Sequence, residues 1–142
     1  MNIEAILRNK GADVVTVECD TPVREAVALL SGHRIGALPV LKAGSVAGIM
    51  SERDVIYCLR RDDAAVLDWP VERVMTAPAI TAELAMPILA GLALMTERRI
   101  RHLPVVDGGR LVGLVSIGDL VKYRMDRIEE EAEAMRNYIQ SA

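Results

Sequence analysis

Two short patterns in this sequence hold residue types suited to chemistry, Ser51-Glu52-Arg53-Asp54 and Ser116-Ile117-Gly118-Asp119. In each, a hydroxyl stands three residues before a carboxylate, after an aliphatic run and ahead of a helical pattern. A helix opening at such a serine turns free N–H groups and the positive end of its dipole outward, which suits a phosphate. The hydroxyl can donate to that phosphate, and the carboxylate can accept from both hydroxyls of a ribose. The same spacing is also that of a capping box, in which serine and acid satisfy each other's backbone N–H groups with no ligand at all. The pattern by itself leaves both readings open. The third position separates the copies: Arg53 offers a bidentate guanidinium, whereas Gly118 leaves room for a ligand or a backbone to approach. The two sites are therefore expected to be inequivalent.

The densest basic cluster is Arg98, Arg99, Arg101 and His102. Arg98 and Arg99 end a helical pattern, where cations complement the helix dipole and need no further role. Arg101 and His102 are stronger candidates, because the residues matching them in the other copy, Gly36 and Ala37, carry no charge. Cys19 and Cys58 belong to no Cys-x-x-Cys motif, and with only two histidines no metal-ligand spacing arises. No Walker A loop, Gly-x-Ser-x-Gly or His-Glu-x-x-His motif is present, so no catalytic residues are assigned and an enzyme is not expected.

The elements that position these residues come from a repeat. At a constant offset of 65, residues 15–56 align with residues 80–121 without a gap, giving 14 identities in 42 positions. Leu38-Pro39-Val40 returns as Leu103-Pro104-Val105, Gly48 as Gly113, and the Ser-x-x-Asp pattern as a whole. Each copy reads as a short β-rich run (residues 14–17 and 79–81), a proline at a helix start, an amphipathic helix, a strand, a Gly-containing hairpin, a second strand and a second helix. A β-α-β-β-α unit of this size cannot bury both faces of its own sheet, so the two copies are expected to pack sheet against sheet. The segment between them, with Trp69 and a short helical pattern at residues 71–75, is too apolar to be a free linker.

Composition agrees with an aliphatic fold. Apolar residues make up 51% and aromatic residues 3%, with no Phe. The net charge of −3 and the scarcity of rings argue against nucleic-acid binding. No stretch approaches the roughly 20 apolar residues that span a bilayer, and the N-terminus resembles no signal or transit peptide, so no membrane association and a cytoplasmic location are expected. Near the C-terminus, Val121, Met125, Ile128, Ala132, Met135 and Ile139 form a heptad stripe. It is expected to serve partly as a dimer contact and partly as a dock for the N-terminal stripe of Ile3, Ile6 and Leu7.

The phrases Arg34-Ile35-Gly36-Ala37-Leu38-Pro39-Val40 and Gly48-Ile49-Met50-Ser51-Glu52-Arg53-Asp54, with their counterparts from Arg99 to Asp107 and Gly113 to Asp119, resemble a tandem pair of cystathionine β-synthase (CBS) domains. The resemblance covers about residues 14–122. It implies an α/β (α+β) fold in which two β-α-β-β-α repeats pack as one module: an N-terminal helix in residues 1–13, repeats in 14–61 and 79–122, a connection in 62–78 and a C-terminal helix in 123–142. It also implies a stand-alone regulatory module, a homodimer, that senses an adenine nucleotide in clefts between the repeats and signals to a partner protein. AMP, ATP or NAD(H) is the expected ligand, S-adenosylmethionine is less favoured, and no cofactor is required. The resemblance puts Asp54 and Asp119 on ribose and Ser51 and Ser116 toward phosphate, with Arg53, Gly118, Arg101 and His102 beside them. Thr16 and Thr81 would line the clefts from the first strands, and Met50 and Val115, with Leu38 and Leu103, would clamp the adenine, leaving it held by aliphatic side chains and not by a ring. The alternative is a dimerising scaffold with non-functional clefts.

Overall fold

Both repeats fold from the same local signals. The computed structural model describes residues 1–141, so the last residue of the expected C-terminal helix lies outside the described residues. The chain runs α1 (Ile3–Lys10), β1 (Val17–Glu18), α2 (Val23–His33), β2 (Ala37–Lys42), β3 (Ser45–Ser51) and α3 (Glu52–Asp62). Two 3-10 helices, Asp63–Asp68 and Val71–Arg73, lead to α4 (Ile88–Arg98), β4 (His102–Asp107), β5 (Arg110–Ser116) and α5 (Ile117–Ser141). Pro22 and Pro87 immediately precede α2 and α4, where a missing N–H costs nothing. Both helices end on an arginine in the left-handed region, Arg34 and Arg99, and the next N–H closes the turn onto the carbonyl of Leu30 or Met95. The hairpins turn on Ala43-Gly44 and Gly108-Gly109, and φ is positive at all four residues, as a two-residue turn matched to strand twist requires.

In the first repeat the sheet order is β1-β2-β3, with β1 parallel and β3 antiparallel to β2. In the second, β4 pairs with β5 and the first strand is reduced to a bridge from Ala82 to Val105. The sequence places these first strands at residues 14–17 and 79–81, but pairing begins at Val17 and Ala82. The hairpin register selects those residues: Val17 opposite Val40 and Ala82 opposite Val105 are buried, while Thr16 is half-buried and Thr81 exposed.

Neither repeat covers its sheet with its own helices alone. The lead-in segment before each repeat crosses to the other one. Ile3 and Glu4 donate backbone N–H bonds to the carbonyls of Met86 and Leu84 in the second repeat, at 3.0 Å each. Val71 and Glu72 make the equivalent bonds to Thr21 and Cys19 in the first, at 2.8 and 3.1 Å. Apolar side chains follow the same exchange. Val66, Val71 and Val74 join the core of the first repeat around Leu38, Val40 and Met50, while Ile3, Ile6 and Leu7 join the core of the second around Leu103, Val105 and Val115. The expectation that residues 62–78 lie packed on the module therefore has a physical cause, and Trp69 adds to it by packing on the first core under the Arg73 guanidinium, 3.7 Å above its ring. The hairpins meet along β3 and β5.

α5 is one continuous helix from Ile117, with no break where the second repeat was expected to give way to a separate helix. Its first turn enters the second core through Leu120, beside Ile3 and Gly91. The stripe residues Val121, Met125, Ile128, Ala132, Met135 and Ile139 are all exposed, so the expected docking on the N-terminal segment is not made by the stripe and falls to Leu120 and Tyr123 beside it. No helix among the described residues is long and apolar enough to cross a membrane.

The exchange makes the strand glycines sensitive. A Cβ at Gly48 would lie 2.7 Å from the Thr76 carbonyl oxygen, and one at Gly113 would lie 2.7 Å from the Leu7 side chain. Gly48→Ala is expected to cost about 1–3 kcal/mol, more than Gly113→Ala, because a backbone carbonyl cannot rotate away. Ile3→Ala, at a fully buried site, is expected to cost about 2–5 kcal/mol. Urea unfolding of the three variants measures both.

Candidate functional site

β3 ends at Ser51 and α3 begins at Glu52, so the first Ser-x-x-Asp pattern sits at a strand-to-helix corner. The capping box forms there: the Ser51 N–H donates to Oδ2 of Asp54 at 2.8 Å, and the Asp54 N–H donates to the Ser51 hydroxyl oxygen at 3.3 Å. The cap and the open site are not exclusive. It uses Oδ2 and leaves Oδ1 turned to a cleft of about 310 Å³, where the Thr76 hydroxyl donates to it at 3.0 Å. The second corner repeats the cap, with Ser116 N–H to Asp119 Oδ2 at 2.8 Å and Asp119 N–H to the Ser116 hydroxyl at 3.1 Å. Here Oδ2 also accepts from the Lys10 ammonium at 2.7 Å.

The first cleft is built by both repeats. Its floor holds Ser51, Arg53 and Asp54 from the first, and Arg99, Arg101 and His102 reach in from the turn between α4 and β4 of the second. Ile49, Ile80 and Ile100 supply aliphatic walls, with Pro78 beside them and Tyr57, one helical turn beyond Asp54, at the mouth. Of the residues read from the sequence, Ser51, Arg53, Asp54, Arg101 and His102 therefore come together. Ser116, Gly118 and Asp119 lie at the opposite corner.

Four expectations are corrected. Met50 and Val115, like Leu38 and Leu103, have no exposed surface and belong to the two cores, so none can clamp a base. Side chains alternate along a strand, and β3 turns Met50 inward while Ile49 and Ser51 face the cleft. Thr81 is exposed and Thr16 borders a shallow groove between the hairpin turns, and the walls fall to Ile80 instead. The free N–H groups expected at the helix start are largely taken: the Glu52 N–H donates to the Gly36 carbonyl at 3.0 Å and that of Asp54 to Ser51. The cationic groups that line the cleft beside this corner are instead the side chains of Arg53, Arg99 and Arg101. Arg99, set aside as a dipole partner, carried no sequence signal for the cleft, and Tyr57 was legible only through its spacing of three from Asp54.

Gly36 and His102 meet where the repeats face each other. A Cβ at Gly36 would lie 3.1 Å from His102 Cε1 and 3.6 Å from the Glu52 carboxylate, so the missing side chain is what admits the imidazole. Burial pushes the His102 pKa below its ordinary value, against the opposing pull of Glu52 and Asp119, and Lys10 and Arg101 add to the depression. At Asp119 burial acts to raise the pKa, but the bonds from Lys10 and Ser116 outweigh it and hold the carboxyl below the ordinary value.

The comparisons with known proteins agree with this architecture. The family model for the CBS domain matches residues 5–61 and again residues 71–126. The CBS domain-containing protein YhcV of Bacillus subtilis is 33% identical over 126 residues, covering 87% of this chain and 87% of its own. The crystal structure of the CBS-domain containing protein ATU1752 from Agrobacterium tumefaciens superposes with a TM-score of 0.84 at 39% identity, over 87% of this chain and 99% of that one. The CBS domain pair of protein MJ0100, solved in complex with 5′-methylthioadenosine and S-adenosyl-L-methionine, superposes with a TM-score of 0.79 at 26% identity, over 89% of this chain and 98% of that one.

The lowered His102 pKa has a definite sign. Below the ordinary value of 6.5 the unfolded chain takes up a proton that the folded chain refuses, so stability falls with pH until the folded value is passed. Replacing the imidazole by His102→Asn is expected to flatten that loss between about pH 7.5 and pH 5. Urea midpoints across this range, compared with the parent chain, check it.

Proposed function

The chain belongs to the CBS-domain family, with the repeat present twice, and on that footing we propose that it is a regulatory module that binds an adenosine nucleotide in its first cleft and passes the binding state to a partner protein. The observation that carries this reading is Asp54: a carboxylate whose Oδ2 is fixed by its own helix cap while Oδ1 faces a cavity large enough for a ligand. A ribose diol replaces the Thr76 hydroxyl there. Ile49, Ile80 and Ile100 enclose the base, and Tyr57 gives it a ring edge or face at the mouth.

The two ligands named for MJ0100 share an adenosine group, which supports the adenine and ribose part of the reading. The rest of the ligand follows from charge. Arg53, Arg99 and Arg101 converge on the cleft, so a phosphate is favoured, as in AMP, ATP or NAD(H). The sulfonium of S-adenosylmethionine would meet the same guanidiniums and is disfavoured. Because the walls come from both repeats, a bound nucleotide bridges them and stabilises one relative orientation by its differential affinity. The exposed stripe of α5, with Met125, Ile128, Met135 and Ile139, supports a second copy of the chain as its partner in a homodimer.

Calorimetry with AMP tests the site. Asp54→Asn keeps an acceptor for the Ser51 N–H, so the fold is expected to survive while AMP binding weakens at least about tenfold, the loss expected for a charge-assisted hydrogen bond. Arg101→Ala is expected to weaken AMP but not adenosine. Unaltered AMP affinity in Asp54→Asn would overturn the assignment. For the homodimer, sedimentation is expected to show Ile128→Glu as a monomer and the parent chain as a dimer.

A further inference from the structure

The two clefts differ in what the lead-in segments bring to them. Ile49 and Asp54 are walls of the first cleft. Their counterparts 65 positions on, Leu114 and Asp119, are bridged by a single ammonium: Lys10 Nζ lies 2.9 Å from the Leu114 carbonyl oxygen and 2.7 Å from Asp119 Oδ2. Where Asp54 meets an uncharged hydroxyl, that of Thr76, on Oδ1, Asp119 meets a cation on its capping oxygen Oδ2.

That cation is held by the fold. Lys10 is the last residue of α1, whose Ile3, Ile6 and Leu7 are buried in the second core, and Gly11 at φ 92 turns the chain away immediately after it. The Lys10 and Asp119 side chains are 39% and 27% exposed, so water screens the pair less than it would a pair on the open surface. Lys10 and Asp119 themselves border a cavity of about 180 Å³, together with Ile6, Asn9, Tyr123 and Asp126 of α1 and α5. His102, a wall of the first cleft, lies close enough to feel both Lys10 and Asp119.

We propose that Lys10 withholds the second corner from a nucleotide by neutralising Asp119 through its capping oxygen Oδ2, which removes the charge that a ribose diol would meet there, so that the chain binds one adenosine nucleotide and binds it in the first cleft. A ribose diol meets a full carboxylate charge at Asp119 only when the Lys10–Asp119 pair is opened. This inference rests on the reading of the first cleft as an adenosine nucleotide site, and it assigns to a single residue of the N-terminal segment the difference in occupancy between two corners that carry the same capped Ser-x-x-Asp pattern.

The test is the number of AMP molecules bound per chain, by calorimetry on the full chain. The parent chain is expected to bind one, and Asp119→Asn is expected to leave that number unchanged. Lys10→Met, which keeps the aliphatic stem, and Lys10→Gln, as a second neutral variant, are each expected to bind two. Adding Asp54→Asn to Lys10→Met is expected to return the count to one, now in the second cleft. Two molecules on the parent chain, one of them lost in Asp119→Asn, would overturn the role of Lys10 while leaving the first cleft intact. A count that stays at one in both lysine variants would also overturn it. A parent chain that binds no AMP at all would overturn the reading of the first cleft, and this inference with it, and is distinguished from the other failures by the missing first site.

Discussion

A sheet of two or three strands backed by two helices leaves part of its apolar surface uncovered, and in this chain that surface is covered by exchange. The segment that leads into the first repeat lies on the second, and the segment that leads into the second lies on the first. The backbone bonds from Ile3 and Glu4 and those from Val71 and Glu72 are the same two contacts made twice. Close approach at Gly48 and Gly113 is what lets each segment seat against its strand. Each core therefore contains side chains that belong, in sequence, to the other half, and neither half is complete without the whole chain.

The exchange also decides the chemistry of the clefts. The repeats supply two similar corners, each with a serine and an aspartate locked into a capping box. The lead-in segments supply different residues to them, Thr76 to Asp54 and Lys10 to Asp119. A hydroxyl leaves the charge of its carboxylate available to a ligand, whereas an ammonium neutralises it. The asymmetry is reinforced where the repeats face each other, since Gly36 yields space that His102 fills while the arginines of the α4–β4 turn close over the first cleft alone. Duplication produced two potential sites, and the lead-in segments, with the unlike pairs Gly36 and Arg101, Ala37 and His102, and Arg53 and Gly118 inside the repeats, made them unlike.

Much of this was legible before any fold was known. The offset of 65 predicted two equivalent halves, the prolines predicted the helix starts, and the Gly-containing turns predicted the hairpins, because each of these signals acts over a few residues. Ser51, Arg53, Asp54, Arg101 and His102 were each named as candidates, and the packing of the repeats brings these five into one cleft, a grouping that no local signal indicated. The misplaced Met50, Val115, Thr16 and Thr81 have a common origin in the strands. Met50 and Val115 were assigned to the ligand and belong to the core, because alternation fixes which residues share a face but not which face is inward. Thr16 and Thr81 were placed one position short of the ladder, since β1 is too short to show a period and its register is set by β2.

The sequence by itself determined a duplicated β-α-β-β-α unit, an aliphatic core and two Ser-x-x-Asp corners, all written in spacings of a few residues or in one constant offset. Only the tertiary structure decided which lead-in segment covers which repeat, and hence that Lys10 reaches Asp119 across 109 positions while Thr76 reaches Asp54. Local periodicity specifies an element and its apolar face. It holds no record of which distant segment will cover that face, because that choice is made by burial and backbone bonding once the elements are packed. The difference between an open carboxylate and a neutralised one is therefore a property of the packed chain.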